Sequence, residues 1–180
     1  MHLTLCDFLS DIVENAIASD ATMIIVDVIE SEEEFRFLIA DNGKGMDPET
    51  LSKVHSPFTT DGKKHHRPQG FGVSFLAQAA DHGCGTWDIR SEKDLGTSVM
   101  FTFLKAHIDT PPLGDVTQTL LQLLAFDGKH DLLINRSRKD RKYSVLRSDL
   151  IKTLSDLSCA GNLMLAKRYI DSLEQDIKKT

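Results

Sequence analysis

Asp41-Asn42-Gly43-Lys44-Gly45-Met46 stands directly behind the apolar run Phe35–Ala40. A strand that ends in Asp-x-Gly-x-Gly asks for a ligand, although Asp-Asn-Gly is also a common turn. Three other constellations accompany it. Asp11 and Asn15 are four residues apart in a helical stretch, hence stacked on one face. An acid and an amide there suit Mg²⁺, which takes oxygen ligands and keeps waters and substrate phosphates, or they are part of a solvated face. Gly70-Phe71-Gly72-Val73 opens a helix, where glycines admit a close ligand and free N–H groups favour an anion. The preceding loop carries Lys63, Lys64, His65, His66 and Arg67, which either folds over phosphates as a lid or is simply solvated. Finally Gly96-Thr97 enters a strand, and Thr97 either supports a site or favours the strand. No GxxxxGK[ST] occurs, so a Walker-type loop is not the phosphate binder.

These residues need elements to hold them. Leu5, Phe8, Leu9, Ile12, Val13, Ala16 and Ile17 recur at helical spacing, with Thr4 as N-cap and an acidic stripe of Asp7, Asp11 and Glu14 beside Asn15. TMIIVDVI and FRFLIAD predict two strands around an acidic turn. Asp47-Pro48 starts a short helix ending near Val54. Residues 61–70 read as a mobile loop, followed by a helix over Phe71–His82. WDIRS and TSVMFTFL predict a second strand pair around Asp94-Leu95-Gly96. Residues 1–106 therefore predict an α+β fold, a two-layer α/β sandwich of three helices on one mixed sheet. HIDTPPLGD is a linker, and residues 107–180 form a small α+β extension: a helix over Asp115–Leu124, a hairpin, and helices starting near Ser148 and Ala160.

Charge divides along the same line. The chain carries a net −6 over 180 residues. Residues 1–106 hold 9 basic and 17 acidic side chains, whereas 107–180 hold 12 and 10. Arg136, Arg138, Arg141, Lys142 and Arg147 fall within twelve residues of the hairpin. They either dock an acidic partner or the acidic first domain, or form a solvated tip. With Tyr143 the only aromatic among them, nucleic acid is not expected. Cys6, Cys84 and Cys159 make no CxxC and read as buried or idle thiols. No apolar run approaches a membrane span, and the expectation is a soluble, cytoplasmic protein.

In order and spacing the four constellations resemble the GHKL family of gyrase, MutL, ninety-kilodalton heat-shock chaperones and histidine kinases, over about residues 4–104. The resemblance implies a Bergerat-type fold, with a mainly antiparallel mixed sheet covered by helices on one face, that binds ATP with Mg²⁺. It implies that Asn15 coordinates the metal, Asp41 accepts the adenine amino group, and Gly43 and Gly45 let the base slide against the backbone. Gly70 and Gly72 then lie at the triphosphate, with Lys63 and Lys64 in the lid, and Thr97 supports the adenine pocket. Met46, Phe71 and Val73 belong to the same motifs and join the binding set.

One position departs from the family pattern. Hydrolysing members carry glutamate four residues before the asparagine, and here it is Asp11, set back by one methylene, about 1.5 Å. Histidine kinases often lack a carboxylate there, because they pass the phosphoryl group to protein rather than water. With the fold beginning at residue 4 and no histidine in an acceptor-like helix, the expectation is a stand-alone kinase module acting on a partner protein. The alternatives are an ATP-responsive binding module and a slow ATPase. A narrower resemblance, carried by the linker and the segment behind it, is to small stand-alone GHKL proteins of anaerobic bacteria, whose genes lie beside iron-only hydrogenase and NADH-dehydrogenase-like subunits.

Overall fold

A computed structural model describes residues 4–55, 71–83 and 85–179. Six helices and six strands follow in the order α1 (Leu5–Ala18), β1 (Met23–Glu30), β2 (Glu34–Asp41), α2 (Pro48–His55), α3 (Phe71–His82), β3 (Thr86–Glu92), β4 (Gly96–Leu104), α4 (Val116–Ala125), β5 (Asp131–Arg138), β6 (Arg141–Leu146), α5 (Arg147–Leu154) and α6 (Ala160–Lys178). All six strands form one mixed sheet in the order β3-β4-β2-β1-β5-β6. Only β1 and β5 run parallel, pairing Met23 with Asp131 through to Glu30 with Arg138. The segment after the linker thus adds its hairpin to the sheet that carries β1 and β2.

Strand alternation decides where the helices go. On β1, Ile24, Val26 and Val28 are buried while Ile25 and Ile29 are exposed. The buried face meets α1 over β1 and β2, α3 over β3 and β4, and α6 over β5 and β6. The result is the expected two-layer α+β sandwich. Phe37 stacks on Phe101 at 4.6 Å between centroids across β2 and β4, and Phe8 of α1 stacks on Phe103 of β4 at 6.5 Å, so an aromatic pair joins the layers. Among the described residues no helix is long and apolar enough to cross a membrane.

The helix that carries Asp11 and Asn15 is anchored at both ends. Thr4 Oγ1 accepts from the Asp7 N–H and Asp7 Oδ2 accepts from the Thr4 N–H, a reciprocal capping box. The next two N–H donors, of Leu5 and Cys6, find the carbonyls of Pro112 and Leu113 in the linker, at 2.9 and 3.0 Å. Cys6 is buried there, and burial pushes its thiol up to about 11. Cys159 is exposed, and Cys84 lies outside the described residues.

The basic hairpin is a solvated tip only in part: Arg141 and Lys142 are exposed, whereas Arg136 turns inward. Arg136 falls in phase with Leu132 and Ile134 and is fully buried. Its Nη2 donates to Glu30 Oε2 at 2.6 Å and its Nε to Glu174 Oε1 at 3.2 Å, joining β5 to β1 and α6. Tyr143 OH donates to the same Glu174 oxygen at 2.7 Å, and burial with that carboxylate raises its pKa well above the usual phenol range. Burial works to raise Glu30, but hydrogen bonds from Arg136 and Lys105 outweigh it and hold the carboxyl below its ordinary value. Arg147 donates to the carbonyls of Leu124, Phe126 and His130, and Arg141 to that of Asp176. The hairpin's charge therefore works mostly inside the chain, in part against an acid of the first 106 residues.

Candidate functional site

A cavity of about 570 Å³ opens between α1 and the sheet, a size suited to one small organic ligand. Ile12, Ile39, Val73, Ile89 and Val99 supply apolar wall, and Asn15, Asp41 and Thr97 supply polar groups. It thereby brings together parts of all four constellations, from α1, β2, α3 and β4. Gly45 and Met46 also line it, as do Lys44, Asp47, Lys93 and Asp94. Asp11, one turn before Asn15, and Gly43 are not part of the wall. Lys63, Lys64 and Gly70 lie outside the described residues, and Phe71 and Gly72 are described only as the first residues of α3.

Asp41 is the last residue of β2 and points to the helical side of the sheet, in phase with buried Phe37 and Ile39. Its Oδ1 accepts from the Gly43 N–H at 2.8 Å and from Ser19 Oγ at 3.3 Å. Burial raises the carboxyl above its ordinary value, against the hydrogen bonds of Gly43, Ser19 and the Thr97 backbone. A half-buried carboxylate held on one oxygen by its own loop is a preorganised acceptor for a ligand N–H.

The loop behind Asp41 is locked to three neighbours. Asn42 Oδ1 accepts from the N–H groups of Thr22 and Met23, both at 2.9 Å, tying the loop to the start of β1. The Lys44 N–H donates to Ser19 O at 2.9 Å and its carbonyl accepts from Asp94 N–H at 2.7 Å. Met46 N–H donates to Ser91 Oγ at 2.8 Å, and Ser91 Oγ lies 2.8 Å from Thr97 Oγ1. Two glycines permit this packing. A Cβ on Gly43 would stand 1.9 Å from Ser19 Oγ and 2.7 Å from Ser19 O. Gly45 has φ +58°, and a Cβ there would stand 1.9 Å from Glu92 O.

Two residues that the motif reading passed over belong to the candidate site: Ser19 lines the cavity, and Ser91 holds the loop backbone at Met46. Ser19 lies one turn beyond Asn15 and continues the i, i+4 series Asp11, Asn15, Ser19, which was the available signal. Ser91 sits opposite Thr97 in the β3–β4 register and shares the inward face with Ile89.

Asn15 is exposed on α1 and lines the cavity. Among the described residues no group of three or more His, Cys, Asp or Glu side chains stands ready for a metal. A lone amide oxygen fits a Mg²⁺ that keeps its waters and phosphate ligands, and does not fit a metal caged by protein.

The sequence matches a family model described as histidine kinase-, DNA gyrase B-, and HSP90-like ATPase over residues 2–107. Among curated proteins none matches significantly. Among solved structures, the N-terminal domain of a DNA repair protein is similar at TM-score 0.54 and 13% identity, covering 89% of this chain. The match spans 58% of that structure's chain. The Aquifex aeolicus MutL ATPase domain complexed with ADP is similar at TM-score 0.49 and 15% identity, covering 94% of this chain and 70% of its own. At 13% identity the likeness to the DNA repair protein's domain is one of fold.

Proposed function

The chain belongs to the family of histidine kinase-, DNA gyrase B- and HSP90-like ATPases, and on that premise we propose that it binds Mg²⁺-ATP in the cavity beside Asp41 and passes the γ-phosphoryl group to a partner protein. The observation that carries the reading is the half-buried Asp41 carboxylate, oriented by Gly43 and Ser19 in an otherwise largely apolar cavity of nucleoside size. Asp41 accepts a hydrogen bond from the exocyclic amine of adenine. Guanine presents a carbonyl oxygen at that place and is repelled, so the same carboxylate selects the base. Ile39, Met46 and Val99 exclude water from the base, and Gly45 keeps the loop backbone near it.

At the other end Asn15 would hold the metal through its amide oxygen, and the metal would supply screening of the phosphate charges. In this reading Lys63, Lys64, Gly70 and Gly72 bind the phosphates, the lysines through charge and the glycines through backbone N–H groups. The partner's nucleophile attacks the γ-phosphorus, the bond to the ADP oxygen breaks, and the nucleophile's proton leaves to Asp11 or to solvent. Asp11 being an aspartate supports transfer to protein over hydrolysis, because its shorter reach places it poorly for activating water.

Competition against a fluorescent ATP analogue tests the base selection. The reading expects ATP to displace it at least about tenfold better than GTP, and equal displacement would overturn it. A second reading, an ATP-responsive docking module without turnover, is favoured by the absence of Asp11 from the cavity wall. It expects nucleotide binding with no phosphoryl transfer to any candidate acceptor.

A further inference from the structure

Ser19 stands where the two halves of the site meet. Its N–H donates to Asn15 O at 3.0 Å, and its carbonyl accepts from the Lys44 N–H at 2.9 Å. Its Oγ donates to Ala16 O at 2.8 Å and lies 3.3 Å from Asp41 Oδ1. That hydroxyl also abuts Gly43, where any Cβ would collide with it. Every polar atom of one residue is therefore spent on joining the helix of Asn15 to the loop of Asp41.

We propose that Ser19 is a positioning residue for base recognition, setting the direction of the Asp41 carboxylate and registering it against the helix that carries Asn15. The proposal deepens the adenine-pocket reading and rests on it. The chemistry follows from the hydroxyl's single proton. It is shared between Ala16 O and Asp41 Oδ1, so Ser19 fixes one carboxylate oxygen and leaves the group less free to rotate about its Cβ–Cγ bond. Without the hydroxyl, Gly43 N–H still holds Oδ1, but the carboxylate loses the contact that comes from α1. A ligand amine then meets an acceptor that is present but less well aimed, and binding weakens without the site disappearing.

A ligand cycle separates this role from plain packing. ATP and purine riboside triphosphate, which lacks the 6-amino group, are titrated into wild type, Ser19→Ala and Ser19→Thr, each checked for folding by its melting curve. Ser19→Ala is expected to weaken ATP about fivefold, the worth of roughly one hydrogen bond. It is expected to leave purine riboside triphosphate within about twofold, and Ser19→Thr, which keeps the hydroxyl, is expected to bind ATP as wild type does. A Ser19→Ala penalty equal for both ligands would make Ser19 a packing residue and overturn the role. So would a Ser19→Ala that binds ATP like wild type. Wild type that binds neither ligand would instead overturn the nucleotide reading itself, and the two failures are told apart by that control.

Discussion

Arg136→Met removes the cation that joins three elements. Its side chain is 0% exposed and that of Glu174 is 2% exposed, while Glu30 is 10% exposed. Losing one partner of a buried ion pair costs about 3–5 kcal/mol, because a charge is left in low dielectric. Glu30 is cushioned, since Lys105 Nζ at 3.0 Å and Arg138 Nε at 3.3 Å remain. Glu174 keeps Tyr143 on Oε1, but Oε2 has no hydrogen-bond partner among the described residues and sees only Lys178 Nζ at 3.7 Å. The cost thus falls on Glu174 and should lie near the lower end, about 3 kcal/mol. At roughly 2–4 °C per kcal/mol for a chain of this size, thermal unfolding should move down by about 6–12 °C. Adding Glu174→Gln removes the stranded charge while keeping an acceptor for Tyr143, and should recover about half of the loss. The acid side adds a second signature. Glu30 is held below its ordinary 4.5, so it contributes stability above that pH which is lost as pH falls through the lowered value. Arg136→Met should flatten that acid loss. Urea unfolding of the three proteins decides the matter. A single-variant loss under about 1 kcal/mol, or a double variant that is merely additive, would refute the argument.

Three further outcomes are expected. Gly43→Ala should abolish ATP binding and destabilise by about 2 kcal/mol or more, read by titration and urea unfolding, because its Cβ would sit 2.7 Å from a backbone oxygen as well as 1.9 Å from Ser19 Oγ. Iodoacetamide at pH 7.5 should label exposed Cys159 and spare buried Cys6, whose thiol is pushed up to about 11, as peptide mapping would show. Asp11→Glu should raise ATP hydrolysis at least about tenfold by restoring the missing reach, in a phosphate-release assay.

Much of this was legible in the residues, and the limits were physical. Thr4 with Asp7, Asp47 with Pro48 and Asp115 before an apolar helix are local signals, and each marks a helix start that the structure keeps. The strand pairs β1–β2 and β3–β4 are joined by short turns, so adjacency in sequence implied adjacency in space. The β1–β5 pairing was not legible, because the register of strands a hundred residues apart is decided by packing and not by any turn. Arg136 shows the same limit from another side. Alternation in DLLINR already put it in phase with Leu132 and Ile134, but a charge reads as surface until Glu30 and Glu174 arrive from elsewhere in the chain. In the cavity, Asp41, Asn15 and Thr97 came from motif spacing. Ser19 offered only its i, i+4 spacing from Asn15, and Ser91 offered nothing, because its role shows only once its neighbours in space are known.

The most direct measurement is calorimetric titration of ATP, with and without Mg²⁺, into wild type and Asp41→Asn. An amide at Asp41 keeps the shape but replaces one acceptor oxygen with a donor that opposes the adenine amine, a loss of about 1–3 kcal/mol, which is roughly 5- to 150-fold in affinity. The account predicts Mg²⁺-dependent ATP binding to wild type and a loss of that size in Asp41→Asn with folding intact. ATP binding equally well to both proteins, or to neither, would contradict it.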